Sequence, residues 1–242
     1  MNAFINFFHI ILWQPLFNLL ILFCYYLPGN NLGLAIILLT LLIRSALYPL
    51  QDKASKSQLA LQVLQPKMKE IQKQYKGDRE GQAKAMMELY KKEQINPFFS
   101  FLVMLIQFPV LIVLYRLFWQ GIQEENFVYL YSFVQRPETI NPIFLGLNLD
   151  EKSVPLAIVV GIVFFIQTKL SMPKKDKQKA QTKKSAFGEM FQKQMLYLFP
   201  IFIVFILLRL PSALGLYLLV GGIFMAFQQY LTKKKYYSEK NV

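Results

Sequence analysis

"LLIRSALYPL", residues 41–50, sets a charge inside a run that otherwise reads as membrane-spanning. An arginine at that depth costs several kcal/mol unless water, carbonyls or an acid receive it. The run reaches back to Leu32. At about 1.5 Å per residue, roughly 20 residues cross a ~30 Å hydrocarbon core. Further apolar runs fall at 97–119, 154–171, 195–208 and 212–231. The fourth is short and is followed by Pro211, which breaks a helix. The chain must then turn straight back, so the fourth and fifth runs read as a tight transmembrane hairpin. Apolar side chains make up 55% of the 242 residues, above the ~45–50% of soluble domains.

Charge sets the orientation. The formal net charge is +13, and 21 of the 27 basic residues lie in three segments: 52–96, 172–194 and 232–242. The intervening segment 120–153 holds only Arg136 and Lys152 against five acids. Basic loops stay cytoplasmic. Five spans, the first entering from outside, put all three basic segments inside. The basic excess therefore reads as topology and lipid headgroups, with no dedicated nucleic-acid domain.

Outward from the first span, the stretch 1–29 is apolar but has no Lys or Arg. Asn2, Asn6, His9 and Trp13 repeat at i, i+4, i+7, i+11 and give a weak polar stripe before Pro15. This reads as an interfacial helix on the outer surface in preference to a sixth span. In 52–95, Leu61, Leu64, Met68 and Ile71 line one helix face, "KGDREG" supplies a turn through Gly77 and Asp78, and Met86, Met87, Leu89 and Tyr90 follow. Two antiparallel helices with a thin apolar seam fit this pattern. They form either a plain connector or a docking arm, with Pro66 kinking the first of them.

The expected fold is thus an all-α integral membrane protein: a five-helix bundle with an outer interfacial helix and a cytoplasmic helical hairpin. The expected segments are 1–29 interfacial, 32–51 first span, 52–95 hairpin and 96–119 second span. They continue with 120–152 outer loop, 153–171 third span, 172–194 basic loop, 195–209 fourth span, 212–231 fifth span and 232–242 tail.

Helical spacing gathers the polar groups of the spans. Thr40 and Arg44 are four apart and share a face. Asn96, Ser100 and Gln107 share another, and the third span carries Gln167, Thr168 and Ser171. Gly215, Gly222 and Gln229 repeat every seven residues, a spacing that ordinarily marks close helix packing. Arg44 lies six residues from Leu50, about 9 Å along a helix, so snorkelling covers part of the distance. No Asp or Glu occurs in any of the five spans. A salt bridge between spans is therefore not on offer. The site must be wet, or must receive an acid from another molecule.

Other chemistry is poorly supplied. One cysteine, Cys24, permits no intrachain disulfide, and one histidine, His9, argues against histidine-based zinc sites and triads. No phosphate-binding glycine loop occurs. No enzyme activity, cofactor or metal is expected.

The segments "WQPLFNLL", "LGLAIILLTLLIRSALYPL", "LQPKMKEIQKQY", "MELYKKEQINPF", "LIQFPVLIVLYRLF", "FLGLNL", "QTKLSMP" and "QKQMLYLFPIFIVFILLRLPSALGLYLLVGG" resemble, in order, successive parts of the YidC/Oxa family of membrane protein insertases. The resemblance implies five spans around a hydrophilic groove that opens to the cytoplasm and laterally to lipid. It makes Arg44 the groove arginine, which attracts acidic or polar parts of an incoming chain, and it adds Tyr217. Thr40, Gln107 and Gln167 join the candidate groove on spacing alone. The implied partners are nascent membrane proteins, the lipid bilayer and the ribosome, with a Sec translocon as a further candidate, in the bacterial plasma (inner) membrane. The chain reads as a minimal member without a large periplasmic domain. Alternatives using the same groove are a lipid scramblase or a small transporter. A transporter would want coupling acids or broken inverted repeats. An intramembrane enzyme would want paired acids, histidines or cysteines.

Overall fold

Apolar runs in a membrane must satisfy their backbone internally, and this chain does so almost wholly with helix. The computed structural model describes residues 9–96, 98–119, 122, 124–172 and 183–240. A short π-helical segment, His9–Trp13, runs into α1 (Gln14–Tyr26). Then follow α2 (Leu32–Gln74), α3 (Arg79–Lys92) and α4 (Phe98–Trp119). A 3-10 segment, Glu124–Tyr129, precedes a small hairpin of β1 (Ile143–Phe144) and β2 (Leu147–Asn148). The chain closes with α5 (Val154–Ser171), α6 (Lys183–Leu207) and α7 (Ser212–Lys240).

Four described helical stretches are long and apolar enough to cross a membrane: His9–Tyr26, Leu32–Gln74, Val154–Ser171 and Ser212–Ser238. Leu105–Trp119 and Leu196–Leu207 are apolar but shorter. The fold is an all-α membrane fold. Three elements differ from the sequence pattern. The helix of the first span does not end near residue 51 but continues unbroken to Gln74. α6 begins at Lys183, inside the segment read as a loop, and α7 runs on through the basic tail. The physical reason is shared: Lys, Gln, Glu and Ala are good helix formers, so charge marks where a span leaves the membrane, not where its helix ends. Of the polar stripe before Pro15, Asn2 and Asn6 lie outside the described residues, as do 173–182 of the basic loop.

The chain divides into two compact units. The first draws on residues 9–46, 108–172 and 183–226. Phe17, Leu20, Ile21, Ile36, Leu39, Val113, Leu114, Val160 and Tyr217 form its fully buried interior. α5 turns Leu156, Ala157 and Val160 inward against Leu207, Val204 and Leu218. Its opposite face exposes Val154, Ile158, Val159, Ile162 and Ile166. Apolar residues on both faces of one helix are the mark of a span with lipid on one side. At Gly161, an added Cβ would collide with Val204 Cγ2, so the missing side chain lets α5 and α6 approach closely.

Several backbone bonds gather one end of this unit. The Leu32 amide, first in α2, donates to the Asn141 carbonyl at 3.0 Å. Ser212, first in α7, donates twice to the Glu151 carbonyl, from its amide at 2.7 Å and its hydroxyl at 2.6 Å. The Ala213 amide donates to Leu149 at 2.9 Å. These bonds satisfy amides that open a helix with no partner inside it. The β hairpin turns through Leu145 (φ 50°) and Gly146 (φ 77°). Two positive φ values in succession fit the twist of a two-residue hairpin. For leucine that conformation costs on the order of 1 kcal/mol.

The second unit draws on residues 47–107 and 227–240. α2 leaves its turn at Tyr75–Gly77, where Gly77 takes φ 100°. Asp78 then caps α3, accepting the Gly81 amide at 2.9 Å. The antiparallel return is held by Ser57 Oγ donating to the Asn96 carbonyl at 2.7 Å and by Lys67 on Glu93 at 2.7 Å. Of the expected seam, Leu64 is buried and Leu61, Met68, Ile71, Met86, Leu89 and Tyr90 are half-buried, while Met87 is exposed. Leu59 joins them.

Candidate functional site

Arg44 is 4% exposed, so the first unit encloses its side chain almost completely. α2 delivers it from one side. The facing surface is a single stripe of α7, where Tyr217, Gly221 and Met225 stand four residues apart and so share a face. The guanidinium carbon lies 5.9 Å from the Tyr217 ring centroid, within cation–π range. Nη1 donates to Met225 Sδ at 3.3 Å. A Cβ built on Gly221 would lie 2.7 Å from Nη2 and 2.9 Å from Nε. No side chain larger than hydrogen fits at Gly221 while the arginine stays in place.

Gln167 reaches the same thioether from α5, its Nε2 lying 3.6 Å from Met225 Sδ. Its Oε1 is buried and has no hydrogen-bond partner among the described residues. Gly222 lets α5 come close beside it: an added Cβ there would meet Val163 at 3.0 Å. The first unit thus brings Arg44 and Gln167 to Met225, and Tyr217 to Arg44. A thioether and a ring face are soft, weak acceptors beside a carboxylate. The arrangement confines a cation against a ring face and a thioether, and the Gln167 amide shares that thioether.

The remaining sequence candidates take other positions. Thr40 shares the Arg44 face of α2 and is fully buried, but its hydroxyl donates to the Ile36 carbonyl of its own helix at 2.6 Å. Gln107 is half-buried in α4 and belongs to the second unit. Thr168 and Ser171 likewise bond back to carbonyls four residues earlier. Sequence reasoning passed over Gly221 and Met225. The signal was present as the i, i+4, i+8 spacing from Tyr217, but the seven-residue glycine repeat drew attention to the adjoining face, which packs on α5.

A second polar cluster stands in the second unit. Thr232 Oγ1 donates to Asp52 Oδ1 at 2.7 Å, and Lys56 pairs with Oδ2 at 2.8 Å. Gln228 Nε2 donates to the Tyr48 carbonyl at 3.1 Å. Burial pushes the Asp52 carboxyl up, but hydrogen bonds from Lys56 and Thr232 and the charges of Lys56 and Lys235 outweigh it. Its pKa therefore lies below the ordinary value.

A helical membrane bundle with a guanidinium enclosed inside one of its spans is the class this geometry defines. A family model described as the 60Kd inner membrane protein matches residues 23–240. Relatives called membrane protein insertase YidC match as well. The one from Francisella tularensis subsp. novicida is 33% identical over 207 residues, which cover 86% of this chain and 33% of the relative. The one from Francisella philomiragia subsp. philomiragia is 34% identical over the same shares. The chain spans about one third of the length of these curated relatives. It belongs to the 60Kd inner membrane protein family, that is, the YidC/Oxa family.

Proposed function

We propose that this chain is a membrane protein insertase of the bacterial inner membrane. The observation that carries the reading is the enclosed Arg44, held against a ring face and a thioether inside a lipid-facing bundle. In this reading the arginine attracts acidic or polar segments of a nascent membrane protein. Those segments cross through a hydrophilic groove, and apolar segments partition sideways into lipid. Burying a transmembrane segment supplies the free energy, so neither a nucleotide nor a catalytic residue is needed. In this reading the groove residues of the first unit are Arg44, Thr40, Gln167 and Tyr217, and Gln107 is a candidate on helical spacing alone. Ribosome and Sec translocon are the expected delivery partners, met by the basic cytoplasmic segments.

The topology proposed from charge has five spans and an interfacial α1. The hydrogen bonds of Asn18 support the second point. Asn18 stands midway along the helical stretch and is 2% exposed. Its Nδ2 donates to the Tyr129 carbonyl at 3.0 Å, and its Oδ1 accepts the Tyr131 amide at 2.7 Å. Were α1 to span, the end of the 3-10 segment and the loop after it would sit at the bilayer midplane, where lipid-exposed loop backbone does not occur. An α1 lying along the surface leaves the loop at the surface too.

Purified protein in vesicles tests the function. A short single-span substrate should insert in its presence, and lipid flipping should not rise. Flipping without insertion would make the chain a scramblase and reject the reading.

A further inference from the structure

The β hairpin carries an apolar residue where a hairpin least tolerates one. Leu145 occupies the first central position of the turn at φ 50°, and 87% of it is exposed. Turns of this geometry favour Asn, Asp or Gly. An exposed leucine there gains nothing from the protein in return for its strained backbone. The hairpin is also two-faced. Phe144 and Leu147 pair across the strands. Phe144 lies against Gly33 with no room for a Cβ, and Leu147 packs on the α5–α6 core. Ile143, on the other face, is 48% exposed.

The position of the hairpin narrows what covers it. Asn31 Nδ2 holds the Ile143 carbonyl at 2.8 Å, and the adjoining Asn141 accepts the first amide of α2. Leu149, directly after β2, accepts from Ala213 at the start of α7. α5 begins only six residues beyond β2 and exposes Val154 at once. The base of the hairpin is therefore tied to the starts of two apolar helices and lies a few residues before a third, α5, so its exposed side chains belong to the end of the unit where these helices begin. We propose that Leu145 and Ile143 are a membrane wedge: the hairpin tip inserts its apolar side chains into the headgroup–acyl boundary of the leaflet at that end. The partner is lipid. Under the topology proposed above, that leaflet is the outer one.

Depth measurement decides the matter. Full-length Cys24→Ala protein carrying Leu145→Cys is labelled with a bimane fluorophore. It is then placed in phosphatidylethanolamine–phosphatidylglycerol vesicles with doxyl-labelled lipids. Shallow doxyl groups should quench position 145 at least threefold more than a label at Glu138→Cys in the same segment. Quenching at 145 by aqueous iodide alone, with doxyl lipids silent, would overturn the proposal. So would protection from an impermeant maleimide found only in native membranes, which would make the occupant a protein. A second variant guards against a merely structural role. Leu145→Asn suits the turn, so the protein should fold, yet doxyl quenching at an Ile143→Cys label should fall by half or more. Unchanged depth at 143 would show that Leu145 anchors nothing. The side from which Glu138→Cys is labelled tests the topology separately, and a cytoplasmic result there leaves the measured depth at 145 standing.

Discussion

The two units hold charge in opposite ways. In the first, one guanidinium is enclosed by a ring, a thioether and a glycine, and the fold around it is built from large buried side chains. In the second, charges are many and mostly exposed, the buried interior is thin, and the helices are tied by bonds at Ser57, Lys67 and Thr232, with Asp78 capping α3. Burial makes the arginine site a matter of shape, where a lost ångström is felt in full. Exposure makes the α2–α3 hairpin a matter of local increments, each a fraction of the total. Few buried contacts also place the hairpin at the low end of local stability, where elements that receive partners are drawn from.

The comparison breaks most readily at Gly221. A methyl group there displaces the guanidinium, and overpacking of this kind costs about 1–3 kcal/mol. Gly221→Ala should lower both thermal stability and insertion in vesicles. Gly221→Ala combined with Arg44→Ala should recover the stability but not the insertion. A Gly221→Ala protein with normal melting and normal insertion would show that close packing there is irrelevant.

Arg44→Ala alone should impair substrates with acidic translocated tails several-fold more than neutral ones, measured side by side in vesicles. Equal loss for both would remove the charge from the mechanism. Arg44→Lys should keep part of the activity, because a point charge substitutes for the fork only where the role is electrostatic.

The second unit should answer more quietly. Asp78→Ala removes a helix cap, worth about 1 kcal/mol. Amide exchange should quicken across Arg79–Lys92 while the apolar helices keep their protection. The smallest effect concerns pH. Because the Asp52 pKa is depressed, its contribution is complete above the ordinary value of 3.8 and is lost as pH falls through the lowered one. The melting difference between the protein and Asp52→Asn should be constant near neutrality and shrink in acid. A difference that grows in acid would reverse the assignment.

How much of this could be read from residues alone follows a physical line. Apolar runs and the Gly77–Asp78 turn were legible, because hydropathy and turn chemistry are local properties. Arg44 was legible because a charge in an apolar run needs a partner wherever the run folds. Gly221 was not: glycine's meaning depends on which neighbour approaches it, and only packing decides between the face of Gly222 and the face of Gly221. The β hairpin was also missed, since strands of two residues carry no periodicity. The start of α6 at Lys183 was hidden because lysines serve helix and loop equally.

The double bond from Ser212 to the Glu151 carbonyl has a mechanical consequence. It ties the starts of α5 and α7 at a common pivot, so any separation of these two helices would open away from it, like the arms of tweezers closed at one tip. Met225 lies 13 residues along α7, about 20 Å from that pivot by helical rise. A swing of about 10° there amounts to some 3 Å of travel. At the place where Arg44 and Gln167 reach Met225, a small rotation thus opens a wider gap than anywhere nearer the pivot. Spin labels at Val154 and Gln167, each paired with one on α7, would register the difference as a fixed distance at the tied end and a broad one at the other.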